Sequence, residues 1–226
     1  MRRISSGKKA VVLLSGGIDS VTTLYLAKQE KCTLNALIFD YGQRHKKEIR
    51  AAKHIALLNK ICYYVVKISL PWVKSALTRR DIVVPRGRNL SSKDIPITYV
   101  SGRNIIFLSY AASFAESIGA EKIFIGAHVA DYSGYPDCRP GFIDHMEKAI
   151  CSGIAGKNIE IVTPFINKSK KEIVNTARKL SVPLQYTWSC YQGNKYPCCE
   201  CDSCRYRIKA FEELGLLDPL LKKHRA

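Results

Sequence analysis

The feature that most constrains this chain is a short glycine-containing loop between a buried strand and a helix. Residues 10–14 are apolar without alternation, which predicts a strand over residues 9–14 that is covered on both faces. Residues 20–28 carry apolar side chains at helical spacing. The hexapeptide between them, SGGIDS at residues 15–20, has glycines that permit a tight turn and close approach of an anion to backbone amides at a helix N-terminus. This arrangement predicts a phosphate-binding loop.

Strand and helix patterns alternate about five times along the chain. The alternation predicts an α/β fold with a Rossmann-like parallel five-stranded sheet, helices on both faces and ligands at the carboxyl ends of the strands. We expect one domain over residues 1–183, with a lid-like insertion at 71–96, and a C-terminal segment over 184–226. Predicted strands lie at 9–14, 33–39, 62–68, 121–127 and 159–163, and predicted helices at 20–28, 46–59, 103–118, 142–153, 169–180 and 205–214.

The chain is basic, with 36 Lys and Arg against 19 Asp and Glu and a formal net charge of +17. This balance favours anionic partners, although a solvated basic surface explains it equally well. The charges form short dispersed clusters without an RNA-binding signature, so we do not expect nucleic-acid binding. No apolar run reaches the length of a membrane span or a signal peptide, and we expect a cytoplasmic location.

Cysteines cluster near the C-terminus. Cys198, Cys201 and Cys204 follow one another at two-residue gaps, and Cys190 lies upstream. Four thiolates at this spacing predict a tetrahedral Zn²⁺ site with a structural role, since no coordination position stays open. Free thiols and an iron–sulfur cluster are the weaker alternatives, and Cys199 is a fifth candidate ligand.

Three polar loops follow strands or precede helices, at residues 39–45, 100–104 and 131–139. Each alone is typical of a surface loop. The third combines flat aromatic rings, carboxylates and a guanidinium, which suit a planar heterocycle, and its candidate substrate-binding residues are Asp131, Tyr132, Tyr135, Asp137 and Arg139. Cys138 in the same loop fits a buried apolar thiol better than a nucleophile.

Taken together, these motifs resemble a known group of enzymes. SGGIDS matches the PP-loop of the ATP-pyrophosphatase superfamily, whose members cleave ATP between its α and β phosphates. FDYGQRH, GRN, DYSGYPDCR, the segment 163–172 and TWSCY with CxxCxxC resemble the 7-cyano-7-deazaguanine synthase (QueC/ExsB) family. The similarity runs from Ser15 to Cys204, with one local departure at Ser101, where the family usually has proline.

The resemblance implies an adenine nucleotide alpha hydrolase-like fold and a ligase activity. The expected reaction converts 7-carboxy-7-deazaguanine and ammonia to the nitrile through adenylated acid and amide intermediates, in queuosine and archaeosine precursor synthesis. It also implies Mg²⁺ with ATP, a homodimer, and Asp19, Lys170 and Arg103 as catalytic residues. The expected ATP-binding residues are Leu14, Ser15, Gly16, Gly17, Ile18, Asp19, Ser20, Val21, Thr22, Thr23 and Leu24.

Three other functions stay open at this point. A tRNA-modifying thiolase or ligase would use the same loop and would suit the basic charge. A related enzyme that conjugates a deazaguanine to a protein would use the same adenylation chemistry. A zinc-stabilised nucleotide-binding module without catalysis is the third.

Overall fold

The computed structural model describes residues 7–90, 94–128, 135–193 and 195–221. Its strands are β1 (Lys9–Leu13), β2 (Thr33–Asp40), β3 (Cys62–Lys67), β4 (Lys122–Phe124) and β5 (Glu160–Val162). They form one parallel sheet in the order β3-β2-β1-β4-β5. The chain winds outward from β1 to β3 and then returns to the other side of β1, so a crevice opens where β1 and β4 end.

Helices cover both faces of this sheet. Those in the described residues are α1 (Ile18–Ala27), α2 (Lys47–Leu58), α3 (Arg103–Ile118), α4 (Pro140–Gly153), α5 (Lys170–Lys179) and α6 (Asp202–Glu212). On one face α1, α2, α5 and α6 share a core with Ala10 and Val12 of β1. On the other, α3 and α4 pack with Val11 and Leu13. Burial on both sides explains the unbroken apolar run of β1 and confirms the predicted fold class.

Strands β4 and β5 are shorter than the apolar pattern predicts. The amide of Ile125 still donates to Val162 O at 3.0 Å. Beyond this bond, Gly126, Ala127 and His128 leave the sheet and line a cavity. The prediction of a strand over 121–127 was therefore wrong at its end, because these residues serve the cavity and not the ladder.

The segment that the sequence suggests as a lid packs against the C-terminal part of the chain. Its described residues contain neither helix nor strand. Ala76 and Val84 are buried in a small core with Cys190, Cys201 and Cys204. The division at residue 183 and a lid motion both stay predictions. No helix in the described part of the chain has the length and apolarity needed to span a bilayer.

A buried ion pair holds the C-terminal segment together. Arg207 of α6 and Asp218 have side chains that are each 3% exposed. The guanidinium donates to both Asp218 oxygens at 2.6 and 2.8 Å and to Leu184 O at 3.1 Å. Because both side chains are buried, loss of one partner leaves an uncompensated charge.

We therefore expect Asp218→Ala to lower the free energy of unfolding by about 3–5 kcal/mol. The control is Glu213→Ala, which removes an exposed partner 3.8 Å from Lys209 and should change stability by less than about 0.5 kcal/mol. Urea unfolding of both variants measures the difference, and equal effects would contradict the assignment.

Candidate active site

A cavity of about 220 Å³ opens at the carboxyl ends of β1, β2 and β4. It is bounded by the 15–20 loop, the residues after β2 and β4, the start of α3, and the segment that leads into the cysteine cluster. Residues lining it include Leu14, Ser15, Gly17, Ile18, Asp19, Ser20, Tyr41, His45, Glu48, Arg103, Phe107, His128, Tyr135, Lys170, Trp188 and Arg207. The cavity therefore lies at the edge of the sheet that the fold predicts for a ligand.

The 15–20 loop is organised by hydrogen bonds to one hydroxyl. Ser20 Oγ accepts from the amides of Ser15 and Gly16 at 3.1 and 3.2 Å, and it lies 2.9 Å from Ser15 Oγ. Gly16 has φ +89°, and a Cβ there would stand 2.4 Å from Glu48 O and 2.7 Å from Ala52 N. Only glycine fits, because both the backbone conformation and the close approach of α2 exclude a side chain.

The predicted ATP-binding residues fall into two groups. Those that line the cavity are Leu14, Ser15, Gly17, Ile18, Asp19 and Ser20, whereas Gly16 does not line it. Val21, Thr22, Thr23 and Leu24 are buried inside α1 and do not line it. The hydroxyls of Thr22 and Thr23 donate within the helix, to Ile18 O at 2.7 Å and Asp19 O at 2.9 Å.

Asp19 and Lys170 meet across the cavity from α1 and α5. Both carboxylate oxygens lie 2.7 Å from Lys170 Nζ, and His128 Nε2 lies 3.4 Å from Asp19 Oδ2. Burial alone would raise the pKa of Asp19, but Lys170 and His128 together hold it well below its ordinary value. Two predicted catalytic residues are thus brought together, and Asp19 stays ionised.

Arg103 opens α3 and faces the same cavity, 6.0 Å from the Tyr41 ring centroid. Its neighbour Asn104 is buried and donates its side-chain amide to Asp137 O at 2.9 Å. Asp137 Oδ2 accepts the Asn104 backbone amide at 2.9 Å. Asp137 therefore fixes the start of α3, and it does not line the cavity.

The other predicted substrate residues are placed differently from one another. Tyr135 lines the cavity, and its hydroxyl lies 3.2 Å from Thr98 Oγ1. Arg139 is exposed at the N-cap of α4 and does not line it. Asp131 and Tyr132 lie outside the described residues. Burial and the nearby Asp137 raise the pKa of the Cys138 thiol to about 11, which favours a neutral thiol over a nucleophile.

The cysteine cluster forms as predicted. The Sγ atoms of Cys190, Cys198, Cys201 and Cys204 all lie within 4.8 Å of one another. Tetrahedral zinc with Zn–S distances of about 2.3 Å would require S–S separations of about 3.8 Å. The amides of Cys198 and Cys201 donate to neighbouring sulfurs at 3.3 Å, as suits thiolates. The cluster can hold a metal such as zinc. Cys199 is exposed and lies outside it.

The segment that carries the cysteines contacts the phosphate loop directly. The Trp188 amide donates to Gly16 O at 2.9 Å, and its indole N–H donates to Cys190 O at 2.9 Å. On the other side of the cluster, a Cβ at Gly193 would stand 2.7 Å from Arg44 O. The segment that carries the cysteines therefore packs against two loops of the cavity.

Sequence reasoning did not assign several residues that line the cavity. Glu48 lies one helical turn after His45, so the end of the FDYGQRH motif could have pointed to it. Phe107 lies one turn after Arg103 in the same helix. Trp188 and Arg207 reach the cavity only through the path of the C-terminal segment, which no local pattern predicts.

Gly126 provides a test of how tightly the loop is packed. A Cβ at this position would stand 2.9 Å from the backbone of Asp19 and Ser20. We expect Gly126→Ala to destabilise the protein by about 1–3 kcal/mol, because the first turn of α1 must shift. Thermal unfolding measures this.

The matched control is Gly141→Ala, in α4, where a Cβ meets nothing within 4 Å. This change should stabilise the protein by about 0.5–1 kcal/mol through helix propensity. Equal melting temperatures for the two variants would show that the approach of β4 to α1 is not tight.

Known proteins share this chain's sequence and fold. The family model for the queuosine biosynthesis protein QueC matches residues 9–215. A 7-cyano-7-deazaguanine synthase from Nostoc punctiforme is 49% identical over 94% of this chain and 99% of that protein. One from Clostridium kluyveri is 50% identical over 96% and 98%. NMN synthetase from Francisella tularensis shares the fold, with a TM-score of 0.50, 16% identity, and coverage of 94% and 79%. The chain belongs to the QueC family.

Proposed function

We propose that this chain is an ATP-dependent ligase that converts 7-carboxy-7-deazaguanine and ammonia to 7-cyano-7-deazaguanine. The observation that carries this function is the phosphate loop with its Asp19–Lys170 pair, in a chain about half identical to proteins of that name over nearly its whole length. The relatives support the reaction, and the cavity supplies groups that suit it.

The chemistry needs ATP because a carboxylate oxygen is a poor leaving group. Attack of that oxygen on the α-phosphate releases pyrophosphate and turns the oxygen into part of AMP. Ammonia then displaces AMP and gives the amide. The amide oxygen attacks a second ATP, and loss of AMP with two N–H protons gives the nitrile. One site can serve both stages, because each begins with an oxygen attacking the same phosphorus.

Positioning and charge are the protein's contribution to this chemistry. The 15–20 loop offers amides at the N-terminus of α1 to the pyrophosphate. Lys170 and Arg103 are the cations that would stabilise charge on the phosphates. Mg²⁺ would accompany ATP, with the Asp19 carboxylate as the nearest hard oxygen ligand on the loop.

The substrate would lie toward the start of α3. The cavity wall there holds Tyr41, Phe107 and Tyr135, whose rings suit a planar heterocycle. Asp131 and Tyr132 remain proposed contacts. Asp137 would act through α3, whose first turn it holds in place. Arg139 would have to move toward the cavity to reach a substrate, since it lies on the surface.

We assign zinc to the cysteine cluster, because four thiolates with hydrogen-bonded sulfurs are its preferred tetrahedral ligand set. Its role would be to hold Trp188 against the phosphate loop. A homodimer and a cytoplasmic location are further proposals. The family resemblance supports the first, and nine cysteines without a disulfide suit the second.

The direct test is ATP–pyrophosphate exchange with the carboxy-deazaguanine. We expect Asp19→Asn to lower the rate of exchange by about 100-fold or more, because Lys170 then loses the negative carboxylate that positions it for the phosphates. Asp144→Asn, an exposed change on α4, is the control. Mass spectrometry of the product, with and without protein acceptors, checks the nitrile. Absence of exchange with folded wild-type protein would overturn the function.

Metal loss should destabilise the C-terminal segment. We expect Cys201→Ser to lose bound zinc and to lower the melting temperature, since metal binding contributes to folding free energy. Cys199→Ser should keep both, because Cys199 is exposed and lies outside the cluster. Zinc content by atomic absorption and thermal unfolding measure this, and loss of zinc from the Cys199 variant would contradict the ligand assignment.

A further inference from the structure

Glu48 places a carboxylate in the cavity beside the phosphate loop. It stands in the first turn of α2, its side chain is 19% exposed, and it lines the cavity. Glu48 Oε1 lies 3.7 Å from the position of a Cβ on Gly17. A group this close to the loop stands near the reacting phosphates, and not at the far edge of a nucleobase.

The partner of this carboxylate is a buried histidine. His45 Nε2 lies 2.9 Å from Glu48 Oε2, and the ring is 3% exposed. His45 Nδ1 is buried and has no hydrogen-bond partner among the described residues. A carboxylate oxygen accepts hydrogen bonds, so Nε2 carries the proton of this contact. The ring therefore donates to Glu48 through Nε2, an assignment that follows from the hydrogen bonds.

Glu48 differs from the other carboxylate of the cavity in its surroundings. Among the described residues, the other acidic side chain that lines the cavity is Asp19, which pairs with Lys170. Among the described residues Glu48 has no Lys or Arg within ion-pair distance. A bare carboxylate in a cavity for polyanions is unfavourable unless a cation meets it there.

We propose that Glu48 binds ammonium and accepts its proton, with His45 as the positioning residue that turns the carboxylate toward the cavity. This inference rests on the proposed function, in which ammonium is the cationic substrate. Ammonium has no lone pair, so it cannot attack the acyl adenylate until a base takes one proton.

Amide formation is a proton transfer followed by displacement of AMP. One ammonium proton passes to Glu48, and the freed nitrogen lone pair forms a bond to the acyl carbon. The bond from that carbon to the phosphate oxygen breaks, and AMP leaves with its electron pair. The nitrogen then gives a second proton to water, which leaves the neutral amide. The proton on Glu48 returns to solvent when AMP departs.

The test separates the two halves of the reaction. Glu48→Gln should lower kcat/KM for ammonium by about 100-fold or more, the usual contribution of a base. Pyrophosphate exchange with the carboxy-deazaguanine, measured without ammonium, should persist. Hydroxylamine, which is largely unprotonated at neutral pH, should still capture the acyl adenylate as a hydroxamate in the variant.

His45 tests the positioning role. His45→Gln keeps an N–H donor for Glu48 and should keep KM for ammonium close to the wild-type value. His45→Leu removes the donor and should raise KM for ammonium. Glu212→Gln, an exposed change on α6, is the matched control. Melting temperatures and zinc content establish that each variant is folded.

Each other result has a distinct meaning. Loss of exchange in folded Glu48→Gln would make Glu48 a ligand of Mg²⁺–ATP and would overturn the proposal. A raised KM for the carboxy-deazaguanine would make it a nucleobase contact and would also overturn it, as would unchanged ammonium kinetics. Absence of exchange in the wild type would instead remove the proposed function itself.

Discussion

The shape of the cavity depends on how closely the backbone of neighbouring elements approaches the phosphate loop. On one side α2 passes against Gly16. On the other side Gly126, the second residue after β4, packs on the first turn of α1. From a third direction Trp188 donates its amide to Gly16 O. None of these contacts uses a side chain of the loop. The amides that would hold a pyrophosphate are thus fixed before any ligand arrives, and little reorganisation is left for the moment of reaction.

Charge is divided within the cavity in a way that matches the steps of the proposed chemistry. Lys170 and Arg103 place cationic groups where phosphates would lie, and Asp19 orients the first of them. Glu48 supplies the opposite sign on the α2 side of the loop. An enzyme that binds both a polyanion and a cation needs groups of both signs in one small space, kept apart by the structure so that they do not neutralise each other.

The sequence predicts the fold and the cysteine cluster well, because both depend on local patterns. Alternating strands and helices fix a parallel sheet, and two-residue gaps bring Cys198, Cys201 and Cys204 to one point. The predicted length of β4 was wrong, since the apolar pattern continues into residues that leave the sheet and line the cavity. Residue type suggests a ligand contact at Asp137, whereas its side chain accepts the backbone amide of Asn104 in the first turn of α3. Trp188 reaches the cavity through tertiary packing, whereas Glu48 could have been suggested only by its place three residues after the FDYGQRH motif.

Trp188 has a consequence beyond packing. The chain has two tryptophans, and they occupy opposite environments: Trp72 is 68% exposed, whereas Trp188 is 6% exposed between the cavity and the cysteines. Lys47 Nζ lies 4.5 Å from the Trp188 ring. The emission wavelength of an indole depends on the polarity around it and on nearby charge, so the two tryptophans should emit at different wavelengths. With Trp72 replaced by phenylalanine, the single remaining tryptophan, excited selectively over the tyrosines, would report on the phosphate loop and on the cysteine cluster at once.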